Sequence, residues 1–122
     1  MGVVHRFSGQ AGSFDWEGVP VEPYDSPQMK GVCKRVLIGP RERAPHFVIR
    51  YFEVEPGGHT SLDVHSHEHG VLILRGRARV RMGEEEIETG YGDAIFIPGN
   101  ELHQFHNIGE EPLGFLCVIP AR

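Results

Sequence analysis

The sequence predicts an all-β chain folded as a single domain, a sandwich or barrel of short strands. Three observations carry this reading. Sixteen glycines and nine prolines interrupt the 122 residues too often for long helices. No window sustains apolar residues at i, i+3, i+4 and i+7. Short alternating runs recur instead, each bounded by Gly, Pro or Asn. The length suits one domain and suffices to close a core without staples.

The runs are "CKRVLIG", "HFVIRYFEVEP", "GVLILRG", "ARVRMG", "EEEIETG", "DAIFIPG", "HQFHNIG" and "LGFLCVIP". "RMGEEE" reads as a hairpin turn in which Gly83 supplies positive φ. Residues 1–30, with Pro20, Pro23 and Pro27, read as an arm wrapping a body formed by residues 31–122. Alternation along "FVIRYFEVE" turns Glu53 and Glu55 to water and puts Val48, Arg50, Phe52 and Val54 on the inward face. An inward arginine needs a partner or a cavity; a register break or a snorkelling side chain is the competing reading.

Composition excludes several function classes. A net charge of −5 and a pI near 5.9 lack the footprint of a nucleic-acid binder. Arginines 75, 77, 79 and 81 alternate with Gly76, Ala78, Val80 and Met82, the pattern of a solvated strand face rather than a phosphate patch. Cys33 and Cys117 sit in apolar text and cannot make a disulfide framework, so they read as buried thiols of a reducing compartment. Neither a signal-peptide core nor a membrane-length apolar run is present, and the expectation is a soluble, cytoplasmic protein.

The densest chemistry lies in "LDVHSHEHG", where Asp63, His65, His67 and His69 alternate with other residues. Strand-and-turn text on both flanks argues against a helix. On a straight strand all four would point one way, yet same-face Cα atoms are about 6.7 Å apart while metal–nitrogen bonds are about 2.0–2.1 Å. A turn must therefore fold part of the segment back. A further histidine, His103, follows the Pro98-Gly99-Asn100 turn. Alternation puts Phe105 on its face and His106 on the opposite, exposed one.

These two segments resemble the cupin motifs G-x5-H-x-H-x3-E-x6-G and G-x5-P-x-G-x2-H-x3-N. The second fits Gly92, Pro98, His103 and Asn107, with Asn100 at a glycine position whose αL conformation asparagine tolerates. An ungapped fit of the first runs from Gly57 to Gly76, placing Asp63 and His65 at the two histidine positions and His69 at the glutamate position. A rival fit uses His65 and His67 and leaves one residue before His69. The ungapped fit is preferred, and the contested place is Asp63 against His67. "GVCKRVLIG", "FEVEPGGHT", "PGNELHQFHN" and "FLCVIP" are similar to small single-domain cupins that bind manganese or a similar ion with four histidines.

The resemblance implies a cupin-type β-barrel, also described as a double-stranded β-helix or jelly roll. It implies a divalent transition metal (Mn, Fe, Ni, Cu or Zn) on His65, His69, His103 and Asp63, and an apolar cavity walled by Phe105, Phe115 and Cys117. Neutral imidazoles are required, so occupancy should fall below about pH 6.5. Arg50, if inward, would hold an anionic group of a small-molecule substrate. The expected activity is metal-dependent oxidation of a small organic molecule with dioxygen or peroxide. A non-catalytic binding or sensor module and a sugar isomerase or epimerase are the alternatives. Single-domain cupins commonly pair, so a homodimer is expected, with Phe14 and Trp16 of the arm as contacts.

Overall fold

The computed structural model describes residues 2–10, 13–24 and 26–121. Among the described residues nine strands form one strongly curled sheet: β1 (Glu22–Pro23), β2 (Lys30–Ile38), β3 (Phe47–His59), β4 (His69–Arg75), β5 (Arg77–Met82), β6 (Glu85–Gly90), β7 (Ala94–Ile97), β8 (His103–Asn107) and β9 (Leu113–Pro120). Each of the eight runs read from the sequence forms a strand. One 3-10 turn, Pro40–Glu42, is the helical element among the described residues, and no helix there is long and apolar enough to cross a membrane.

All pairings are antiparallel, in the order β6-β5-β8-β3-β9-β4-β7, with β2 and β1 added beside β3. Curling folds this path onto itself, so Ala78, Val80 and Phe105 from β5 and β8 share one core with Val71, Ile73, Ile95, Ile97, Phe115 and Cys117 from β4, β7 and β9. Period-two alternation supplies those residues, and burying each large apolar side chain is worth about 1.5–3 kcal/mol. Gly83 has φ 62° in the tight β5–β6 turn, the left-handed conformation expected of it.

Of the arginines after Arg75, Arg77 is exposed as the solvated-face expectation has it, while Arg79 and Arg81 are half-buried. Arg77 and Arg79 reach diagonally across β5–β6 to Glu88 and Glu86, with nitrogen–oxygen distances of 3.3 and 3.6 Å, while the residues directly opposite them are Gly90 and Glu88. Strand β3 runs further than its apolar text, through Pro56, Gly57 and Gly58 to His59, where it meets β8 opposite His106.

Both faces of β3 are covered. Phe52 and Val54 face the barrel core, while Tyr51 on the other face is fully buried under the arm. Phe14 stacks on Tyr51 at 5.8 Å, Trp16 tilts against it at 5.1 Å, and Arg35 donates to Asp15 at 2.9 Å. Phe14 and Trp16 thus pack on their own chain. Glu53, expected to face water, is instead half-buried beside Arg75 and accepts a 3.0 Å hydrogen bond from Tyr51 Oη. The arm makes the outer side of β3 a second interior, and alternation alone does not report a cover that comes from distant sequence.

Candidate metal centre

Asp63 and His69 are six residues apart, and the chain between them cannot stay extended if their neighbours are to share an ion. It bends at Ser66–His67. Two contacts shape that bend. The backbone N–H of Asn100 donates to the His65 carbonyl at 2.6 Å. Gly99 lies so close to the Ser66 carbonyl that any Cβ there would collide with it. Asn100 itself has φ 65°, the αL conformation its motif position requires. Asp63 then pairs with His103 through two 2.9 Å backbone hydrogen bonds, which lays the start of β8 beside the histidine segment.

The result brings His65, His69 and His103 together, with one potential ligand atom of each within 4.8 Å of the others. His69 and His103 are buried and His65 is half-buried. His103 Nδ1 lies 2.9 Å from the Glu101 carbonyl. Because a carbonyl only accepts, Nδ1 carries a proton here, and in the neutral form of the ring Nε2 keeps its lone pair. His69 Nδ1 is engaged by Cys117 Sγ at 3.2 Å, and its buried Nε2 has no hydrogen-bond partner among the described residues. Burial foremost, then repulsion from His103, His67, Arg50 and His65, pushes the His69 pKa down to about 3, so the ring stays neutral at physiological pH. A neutral imidazole with an orphaned nitrogen, grouped with two further imidazoles, is what a divalent transition ion requires, and the donor set fits one.

Asp63 and His67 flank the three. The Asp63 carboxylate accepts from Ser61 Oγ at 2.6 Å and stands 3.9 Å from His65 Nε2. His67 stacks nearly parallel on His65, with ring centres 4.9 Å apart and an angle of 8°. His106 sits on the other face of β8, half-buried beside His59 at 5.4 Å.

The histidines open onto a cavity of about 60 Å³, also lined by Asp63, Arg50, Phe52, Thr60, Phe105, Phe115 and Cys117. A water needs about 10–15 Å³, so the cavity has room for a small group. Phe105, Phe115 and Phe52 form a continuous stack along the apolar side, with centres 4.5 and 5.4 Å apart. Arg50 is inward, as one of the two sequence readings had it. Its guanidinium lies 4.8 Å over the Phe52 ring, one terminal nitrogen donates to Cys117 Sγ at 3.2 Å, and its buried Nε has no partner among the described residues.

The model of the cupin domain family, Cupin_2, matches residues 50–119. The chain belongs to the cupin family. It is 38% identical over 112 residues to the 1-methylthio-D-xylulose 5-phosphate methylsulfurylase of Rhodospirillum rubrum, covering 89% of this chain and 70% of that protein. A crystal structure of a cupin-2 domain protein from the same organism superposes with a TM-score of 0.84 at 37% identity, over 90% of this chain and 74% of that one. The polyketide cyclase RemF of Streptomyces resistomycificus superposes at 0.79 with 34% identity, over 86% and 75% of the two chains.

The lining residues of this cupin that escaped the sequence reading include Thr60 and two residues from the arm. Tyr24 and Met29, from the arm, complete the cavity wall. Tyr24 packs on Phe52 at 5.7 Å, and the Lys34 ammonium lies 4.7 Å from the centre of the Tyr24 ring. No local signal marks either residue; an aromatic and a methionine in proline-rich text read as linker until the fold lays β1 against β2.

Proposed function

We propose that this cupin is a metal-dependent enzyme acting on a small ketone-bearing molecule, activating the carbon beside the carbonyl without an oxidant. The observation that carries the reading is the convergence of three imidazoles, two with Nδ1 already engaged, on a small cavity that also receives a guanidinium. The names of the two relatives support the choice of substrate, since a xylulose phosphate and a polyketide both carry ketones. Neither name denotes reaction with dioxygen, so the oxidative chemistry expected from the sequence takes second place.

A divalent cation on His65, His69 and His103 would supply Lewis acidity toward a carbonyl oxygen. Asp63, its carboxylate steadied by Ser61, is the proposed fourth donor, with His67 the alternative. The Arg50 guanidinium donates to Cys117 and pairs with no carboxylate among the described residues, so it is suited to an anionic substituent close to the reacting centre. Phe105 and Phe115 exclude water and strengthen these electrostatic contacts.

The test uses protein freed of metal and reconstituted anaerobically with Mn²⁺, Fe²⁺, Co²⁺ or Zn²⁺ in deuterated buffer. Hydroxyacetone, pyruvate and acetylacetone are supplied, and loss of the proton signals next to the carbonyl is followed by NMR. Metal-dependent exchange that His103→Ala abolishes is expected. Turnover that needs dioxygen would restore the oxidative reading. Ligand-induced thermal stabilisation without exchange would make the protein a binding module.

A further inference from the structure

We infer that Cys117 is a positioning residue for the metal site: its sulfur accepts the Nδ1–H of His69 and so holds that ring with Nε2 bare toward the ion. This rests on reading the three histidines as metal ligands. The topology explains why residue 117 has this reach. Strand β9 lies between β3 and β4, with Cys117 paired to Arg50 on one side and to Val71 on the other. His69 is two residues from Val71 on the same face, so one sulfur meets a β3 arginine and a β4 histidine, each at 3.2 Å.

Hydrogen-bond bookkeeping selects the direction. Arg50 only donates, so the sulfur is already an acceptor on that side. If the thiol instead donated to Nδ1, His69 would carry its proton on Nε2. That would be a buried donor with no acceptor among the described residues, and it would have to leave before an ion bound. With Nδ1–H donating to sulfur, Nε2 keeps a lone pair directed at the group of histidines. His103 shows the same arrangement with a different acceptor, the Glu101 carbonyl. Cys117 therefore does for His69 what a backbone oxygen does for His103, and it holds the Arg50 guanidinium beside the site as well. Its own surroundings fit this role better than a reactive one, because burial pushes the thiol pKa up and Arg50 only partly offsets that.

The experiment compares wild type with Cys117→Val, which keeps the bulk and suits a strand but accepts no hydrogen bond, and with Cys117→Ser, which can accept. Long-range proton–nitrogen NMR of the metal-free proteins at pH 7 reads the tautomer of each histidine, and calorimetric titration reads Zn²⁺ and Mn²⁺ affinity. Wild-type His69 is expected as Nδ1–H. The valine variant should move toward Nε2–H and bind metal about 10–100-fold more weakly, the usual cost of losing the partner of a ligating histidine. The serine variant should recover both, while the His103 signals, unchanged throughout, report an intact barrel. A valine variant with wild-type tautomer and affinity, or a serine variant as weak as valine, overturns the inference alone. A wild-type protein that binds neither ion overturns the metal reading and this inference together.

Discussion

Replacing Asn107 by alanine tests the link between motif and fold. Asn107 is 5% exposed, and its side chain makes three 2.9 Å hydrogen bonds: Nδ2 donates to the Val54 and Glu111 carbonyls, and Oδ1 accepts from the Gly109 N–H. These bonds tie the end of β8 to the middle of β3 and to the turn entering β9. In Asn107→Ala the Val54 carbonyl, on a residue with no exposure, loses that partner in a dry environment, costing about 1–3 kcal/mol. The other two bonds lie nearer solvent, and water replaces part of their roughly 0.5–1.5 kcal/mol each. The sum is about 2–4 kcal/mol. With an unfolding entropy of about 2.1 cal/mol/K per residue over 122 residues, Tm should fall by roughly 8–15 °C. Urea denaturation at constant m-value measures it. Asn107→Asp keeps the acceptor for Gly109 but turns a negative oxygen toward two carbonyls, so it should cost at least as much. A loss below about 1 kcal/mol for alanine, or a milder effect for aspartate, would refute the reasoning.

Two further outcomes are expected. His5 donates to Glu42 at 2.8 Å and meets the Glu17 carbonyl, and both contacts raise its pKa above the ordinary 6.5. Burial acts to raise the Glu42 pKa, but hydrogen bonds from His5 and the Gly39 N–H outweigh it and the net shift is downward from 4.5. The His5 contribution is complete below pH 6.5 and fades as pH climbs through its raised pKa; the Glu42 contribution is present above pH 4.5 and fades below. The Tm gap between wild type and His5→Gln should therefore peak between about pH 4.5 and 6.5 and narrow at pH 9; a gap constant with pH would contradict the pairing. Removing the arm's share of the cavity wall with Tyr24→Ala and Met29→Ala should admit bulkier ligands. In the Co²⁺-substituted protein, 4-phenylimidazole should bind about tenfold more tightly while azide is unchanged, read from visible absorption. Equal affinities in wild type and variant would remove these residues from the wall.

Much of the barrel was legible because each strand carries its own signal. Period-two alternation and glycine or proline punctuation are local, and they survive in the sequence whatever the strands pair with. The site was legible where a motif constrains backbone and side chain together, as at Asn100, whose αL conformation delivers His103. What stayed hidden depended on contacts between segments far apart in the chain. Glu53 and Tyr51 are buried because the arm folds over β3, and Tyr24 reaches the cavity because β1 joins β2.

The histidine segment shows the same division in one place. Residue order alone determined that His65, His69 and His103 are available as ligands and that the chain between His65 and His69 must turn. Tertiary structure alone decided how. The bend is fixed by Gly99 and Asn100 from another loop, and each buried imidazole takes its tautomer from a partner, Glu101 or Cys117, that strand register sets beside it. Local spacing encodes which groups exist, but their orientation and protonation are properties of neighbours that only folding supplies.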